Sequence, residues 1–456
     1  MSAARRSAEP TFDKGRIAYL SFPWWINPLW VAGLFVALLV GTAFFVSSES
    51  YVLWRVPKYV DNDYALLAAI SGVAFLIGLA LIQIRRMPTR QLEIYVGSNI
   101  IRVAQKSARV TFWIAILGYI FWVVAALRQG AGIQQVQAVL NFQEGSVGDL
   151  KRVSVPVGGL TTLTQLAAIS VTLRFFLIRV GIRDRVWELY VLLALSVMRA
   201  FFYGERLALI EVAVPIVILL VVVSQAQRKA AGGTFVRAVL PVLAVPALWS
   251  VFAIFEYSRS WLAYRLTTDK TFFEYITDRL LGYYITSINN SSLYHQKLVG
   301  LTHDPLFSFP AVWDSPVVGQ LLGPAVVSGT GVRSWWSATL ASRGNPEFNN
   351  AGTFLVVDAD IGTFGSVVYW MVLGILIGLA YYKMRTGRLA GLLAYATVFL
   401  GLLELLRIIY WVQGRFVPTL IGIVIVGAML SNAQDEDEAN TSGYLMQANL
   451  GERTHV

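Results

Sequence analysis

The chain has 456 residues, 56% hydrophobic and 14% charged, with a net charge of +10 and no cysteine, and its mean hydropathy is +0.60. That balance lies far outside soluble domains and marks an integral membrane protein. It excludes a soluble nucleic-acid-binding module, disulfides and thiolate metal sites, and it makes the surplus of Lys and Arg a matter of position along the chain.

The first segment, 1–25, is polar and carries Arg5, Arg6, Lys14 and Arg16, so it reads as a cytoplasmic lead into an uncleaved signal anchor. A bilayer core about 30 Å thick needs roughly 20 apolar residues per helix. Runs near that length predict spans at 26–47, 65–84, 108–127, 157–177, 186–203, 207–226, 238–257, 361–382, 389–411 and 416–430. The fold class expected is an all-α polytopic membrane protein of about ten spans, 10–12 if short apolar pieces at 280–285 and 317–327 enter the membrane. The loops on the side of the N-terminus are basic throughout: Arg85, Arg86 and Arg90 with Arg102, Lys106 and Arg109; Arg179, Arg183 and Arg185; Arg228, Lys229 and Arg237; Lys383, Arg385 and Arg388. The positive-inside rule then places both termini in the cytoplasm. The expected organisation is a cytoplasmic segment 1–25, seven spans within 26–257, one large extracytoplasmic loop 258–360, three spans within 361–430, and an acidic, disordered tail 431–456 containing "DEDE".

Two outside segments are not tight hairpins. In 128–156, Ile133, Val136, Val139 and Leu140 share a helical face, either as an amphipathic helix in the interface or as one helical turn in a solvated loop. Segment 258–360 is long for a loop and, against the positive-inside rule, carries Arg259, Arg265, Lys270, Arg279, Lys297, Arg333 and Arg343. A guanidinium fork matches phosphate oxygens; the competing roles are snorkelling and pairing with Glu256, Glu274 and Asp278. Trp335 and Trp336, between Arg333 and Arg343, read either as membrane-belt residues or as a platform for a sugar's apolar face.

Charges inside spans are costly. Glu404 and Arg407 are spaced to pair on one helix face, and Arg199, Glu205, Arg206 and Glu211 cluster at a short hairpin, with Arg206 able to reach the large loop. The only histidines are His295, His303 and His455, and HExxH, GxSxG and P-loop motifs are missing. Zinc hydrolysis, serine acyl transfer and P-loop nucleotide chemistry are therefore excluded, while His303 reads as either a general base or a solvated loop residue.

The segment "NNAGTFLVVDADIGTFGSVVYWMVLGILIGLAYY" resembles the end of the large loop in Wzy-type O-antigen polymerases, the oligosaccharide repeat-unit polymerase family. "GERLALIEV", "FEYSRSWLAYR" and the late loop flanked by arginines are similar to the same family, over a layout running from Thr111 to Leu430. The resemblance implies a GT-C-like, metal-independent glycosyltransferase without cofactor in the bacterial cytoplasmic membrane. Such enzymes join undecaprenyl-diphosphate-linked repeat units on the extracytoplasmic face, in cell-envelope polysaccharide biosynthesis, beside a flippase and a chain-length regulator. Carried onto this chain, Arg206, Arg259, Arg265, Arg333 and Arg343 would neutralise the departing diphosphate. Glu347, Asp358 or Asp360 would orient or deprotonate the acceptor hydroxyl. Trp335, Trp336, Asn349 and Asn350 would line the glycan path. Asp360 also has an ordinary helix-capping explanation, and Gly362 and Gly365 are expected to let the eighth span start close to its neighbours. Neither Arg259 nor Arg265 reproduces the arginine-to-glycine spacing of some members. The alternatives are an O-antigen ligase or other lipid-linked glycan transferase, for which His303→Ala would abolish activity, a flippase or transporter without catalysis, and a scaffolding component.

Overall fold

A computed structural model describes residues 16–84, 91–225, 234–298, 305, 307–313, 315, 321 and 332–453. In chain order the helices are α1 (Pro28–Phe45), α2 (Asn62–Gln83), α3 (Ser98–Arg128), α4 (Ile133–Leu140), α5 (Ser146–Arg152), α6 (Ala167–Arg179), α7 (Val186–Tyr203), α8 (Arg206–Val222), α9 (Thr234–Glu256), α10 (Phe272–Leu298), α11 (Val332–Arg343), α12 (Phe354–Arg385), α13 (Leu389–Leu403) and α14 (Val417–Arg453). Eight helices among the described residues are long and apolar enough to cross a membrane, so the chain is a predominantly helical, multi-pass membrane protein. Two further expected spans are shorter. α8 has 17 residues, and α13 stops after 15, its remainder continuing through irregular backbone and two short 3₁₀ turns.

Beside the helices, the described residues hold one small sheet that the sequence reading did not include. Arg16–Ser21 (β1), Gln91–Val96 (β2) and Val223–Ser224 (β3) form an antiparallel sheet of order β2-β1-β3, with Ala18 opposite Ile94 and Leu20 opposite both Leu92 and Val223. The pairing satisfies backbone groups that would otherwise be unpartnered where α1 and α3 begin and α8 ends. The sheet thus marks one end of the bundle. Arg179 fastens it there, its Nε donating to the Val223 carbonyl at 2.9 Å.

At the bundle's centre α2 runs against α12 at glycine-limited distance. A β-carbon at Gly78 or Gly374 would collide with the facing backbone, and the close approach allows Ser71 and Ser366 to hydrogen-bond at 2.8 Å. Gly362 does something other than the close packing expected of it. Its φ of 75° and ψ of 165° break α12 into two helical pieces, while a β-carbon there would meet nothing within 4 Å. Only glycine adopts that region without strain, so Gly362→Ala is expected to cost about 1–3 kcal/mol and to lower the thermal midpoint measured in detergent.

Segment 258–360 is not a free loop. Its main element, α10, packs against α9 and α12, and the polar run Thr286, Ser287, Asn289, Asn290 is fully buried. Asn289 accounts for part of this: it accepts from the Tyr59 backbone N–H at 2.6 Å and donates to the Pro57 carbonyl at 2.8 Å. The apolar piece at 280–285 lies within α10 rather than forming a re-entrant helix of its own, and 317–327 lies outside the described residues apart from Leu321. In 128–156 the helix α4 forms, turning Val139 inward onto Val147, Leu150, Phe201 and Phe202, while Ile133 and Leu140 of the same stripe stay 75% and 53% exposed. The described part of the acidic tail continues α14 as helix to Arg453. Its acids are used: Asp437 accepts from the Ile100 N–H at 3.1 Å, capping α3, and Asp435 pairs with Arg388 at 2.5 Å.

Candidate functional site

At the end of the bundle away from the sheet, Glu256 closes the last turn of α9 and is fully buried. A buried carboxylate must be paired and hydrogen-bonded, and Glu256 takes Arg206 Nη2 at 2.8 Å, Arg279 Nε at 2.6 Å and the Ser260 hydroxyl at 2.6 Å. Arg259 Nη1 adds a third cation at 3.6 Å. Ser260 and Arg259 are aimed at it by a single turn of π-helix, Tyr257–Trp261, that continues α9. One inserted residue rotates the following side chains about the helix axis, and such turns recur at functional sites.

The chain of charge runs on through Arg279, whose Nη1 donates to Glu347 at 2.7 Å, and Glu347 also accepts from the Tyr264 hydroxyl. Tyr283 sits among the guanidinium groups, its ring centre 5.2 Å from Arg206, 5.9 Å from Arg279 and 5.7 Å from Arg407. Placing an aromatic face between like charges offsets part of their repulsion. Arg407 is held by Glu404 at 3.0 Å. With the Asn350 amide turned so that its oxygen faces the guanidinium, Asn350 accepts from Arg407 Nε and Nη2 at 3.3 Å. Beside this array Arg415 pairs with Glu211 at 3.0 Å, and Arg199 with Glu205 at 2.6 Å.

Burial works against a charged Glu347, yet hydrogen bonds from Tyr264 and Arg279, with the positive charge of Arg279 and Arg55, hold its carboxyl below the usual range. Burial likewise opposes the charge of Arg279, but Glu256, the neighbouring Tyr283 and Tyr275 and the hydrogen bond to Glu347 together outweigh it and push the guanidinium pKa up. A depressed carboxylate pKa contributes stability above the unfolded-state value and loses it as pH falls through the folded one. Glu347→Gln is therefore expected to flatten the fall in thermal stability below about pH 4.3, read as the slope of the midpoint against pH.

The array gathers Arg206, Arg259 and Glu347 from the sequence-predicted set, with Asn350 at its Arg407 edge. Asp358 and Asp360 are elsewhere. Asp358 lies at 2.7 Å from His295 Nε2. Asp360 accepts from the Tyr294 hydroxyl at 2.8 Å and from the backbone N–H groups of Phe307 and Ser308 at 2.9 and 2.8 Å, so it ties down a neighbouring segment and does not cap its own helix. His295 stands sixteen positions along α10 from Arg279, about 24 Å at the helical rise. Neither aspartate is part of the arginine array. Arg265, Arg343 and Asn349 are exposed and outside the array. Arg333 lies on α11 with its side chain outside the described residues, as is His303. Trp336 is buried edge-on against Tyr294, ring centres 5.3 Å apart, and Trp335 is partly buried against the core, so both are packing residues and neither presents an open sugar platform.

The sequence reading offered Glu256 as a pairing partner for the loop arginines, Arg279 among them, and that pairing forms; it did not single out Tyr264 or Tyr283. The available signal was the spacing of Glu256 and Ser260 across one turn and the charge of Arg279 beside the apolar-aromatic stretch 280–285 of α10. Among the described residues no group of acids and histidines is arranged to hold a metal ion. Comparisons with family models, curated proteins and solved structures find no match.

Proposed function

We propose that the protein lengthens a glycan carried on a polyprenyl diphosphate, transferring it to the next lipid-linked repeat unit. The observation that carries this reading is the array of Arg206, Arg259, Arg279 and Arg407 at one end of a membrane bundle, held in place by buried Glu256 and by Glu404. In the transfer, the bond between the sugar's anomeric carbon and the diphosphate oxygen breaks and the leaving group keeps the electron pair. A bond to the acceptor hydroxyl forms and that hydroxyl loses its proton. Fixed cations stabilise the charge that develops on the leaving diphosphate without reorganising. Glu347, its side chain 35% exposed, supplies the acceptor-side carboxylate. Its depressed pKa makes it a weak base, which suits a proton lost late, after the leaving group has departed.

On this reading the array end faces away from the cytoplasm, in agreement with the basic loops at the sheet end. The test is direct: purified protein in detergent, given an authentic lipid-linked repeat unit, yields a ladder of longer lipid-linked products, and no ladder defeats the proposal. An O-antigen ligase is the second reading, and it is favoured by His295, partly buried on the loop helix α10 and paired with the buried Asp358 of α12. His295→Ala leaves the ladder intact under the first reading and abolishes transfer to the terminal acceptor under the second.

A further inference from the structure

A cavity of about 700 Å³ opens between α3, the 3₁₀ turn Thr161–Leu166 and α14. That volume is in the range of small-molecule sites. Its walls are mostly apolar, with Val110 and Ile114 on one side and Val417, Ile421 and Ile425 on the other. Among the described residues, the charged ones lining it are Lys106 and Arg415. The lining of α14 runs from Val417 to Met429, about 18 Å at the helical rise, so the slot lies along the bundle and opens sideways where Val110 and Ile421 are about half exposed. A sideways opening among exposed apolar residues on two spans faces hydrocarbon. Arg415 stands at the array end and Lys106 lies toward the sheet end.

We propose that this slot seats the single isoprenoid chain of a polyprenyl phosphate, its head group meeting Arg415. The slot is one furrow between α3 and α14, bordered by the 3₁₀ turn and by Ala311 and Ser315, and fits one chain more readily than the paired chains of a phospholipid. Its charge complements an anionic head, since among the described residues its lining holds two cations and no acid. Arg415 is also near the array: its partner Glu211 lies five positions beyond Arg206 on α8, about 7.5 Å of helix. The inference rests on the transferase reading, because a reaction between two lipid-linked glycans needs a second chain held apart from the one at the arginine array.

The test uses the full chain in detergent with farnesyl monophosphate carrying a photoreactive group, followed by mapping of the labelled peptides. Label is expected on α3 near Val110–Ile114 and on α14 near Val417–Met429. Val110→Trp together with Ile421→Trp fills the slot from its exposed rims and is expected to cut labelling about tenfold, one 1.4 kcal/mol step. Val424→Trp, which is 63% exposed and off the slot, is expected to leave labelling unchanged and controls for general loss of structure. Labelling that survives the slot-filling pair, or that unlabelled phosphatidylglycerol competes away as well as unlabelled farnesyl phosphate does, overturns the assignment. So does equal competition by farnesol, which has the chain without the phosphate. A product ladder without label in the slot sinks this inference and leaves the transferase reading standing; label in the slot without a ladder does the reverse.

Discussion

Glu256→Gln is expected to destabilise the folded protein by roughly 3–5 kcal/mol, the usual cost of stranding a buried charge when its partner is removed. The variant keeps the side chain's volume and some hydrogen bonds, so what it deletes is the negative charge between Arg206 at 2.8 Å and Arg279 at 2.6 Å. Arg279 retains Glu347, but Arg206 has no second acid within ion-pair reach among the described residues, and its Nη1 is already buried without a hydrogen bond. Arg206 must then either lose its charge, which a guanidinium does not do, or pull water into the bundle. The measurement is a denaturation midpoint in detergent for Glu256→Gln, Arg206→Met and the double variant. The double variant is expected to recover part of the loss, with a coupling of about 1–3 kcal/mol. A Glu256→Gln protein within about 1 kcal/mol of the parent would show that the hub is hydrated and that the buried-charge argument fails.

Glu256 also illustrates what a sequence shows and what it hides. The spans were legible because one continuous apolar run carries its own evidence, and the positions of α2, α3, α7 and α9 follow the hydropathy closely. The sheet was less visible, although "QLEIYV" alternates as a half-buried strand should, with Ile94 and Val96 buried and Glu93 and Tyr95 exposed. Six residues beside a long apolar helix make a weak signal, and the partner strands come from three distant places. The pairing of charges was the least legible of all. Arg206 meets Glu256 across 50 positions and Arg279 meets Glu347 across 68, whereas the sequence grouped Arg206 with Glu205 and offered the loop arginines Glu256, Glu274 and Asp278, of which Glu256 is realised. Glu205 in fact takes Arg199 and Asp278 takes Lys270. Asp358 and Asp360 seemed close to the arginines because the chain is short between them and Arg343. The buried run of α12 before Gly362 carries them away to His295 and Tyr294.

Arg259→Ala is expected to reduce chain lengthening by about a hundredfold, the scale for losing one preorganised donor to a developing charge, while leaving the folded state nearly untouched. The contrast with Glu256 follows from the geometry. Arg259 is the most exposed of the three cations on the hub, at 37%, and at 3.6 Å it is the most distant from the carboxylate. Its removal leaves Glu256 with both shorter arginine contacts and the Ser260 hydroxyl. Its stem rests 3.8 Å from where a β-carbon on Gly204 would stand, so little packing is lost with it. An exposed ion pair contributes about 0–1 kcal/mol, and a shift of the denaturation midpoint within that range is the structural expectation. Arg259→Lys discriminates further, since it restores the charge without the planar fork. If the residue grips phosphate oxygens bidentately, lysine recovers only part of the rate; if it merely adds positive potential, lysine recovers nearly all of it. A ladder formed by Arg259→Ala at the parent's rate would leave Arg206, Arg279 and Glu256 as a structural ion cluster. It would also remove the most accessible cation of the hub from the proposed site, since the other two are largely enclosed by their carboxylates and by Tyr283.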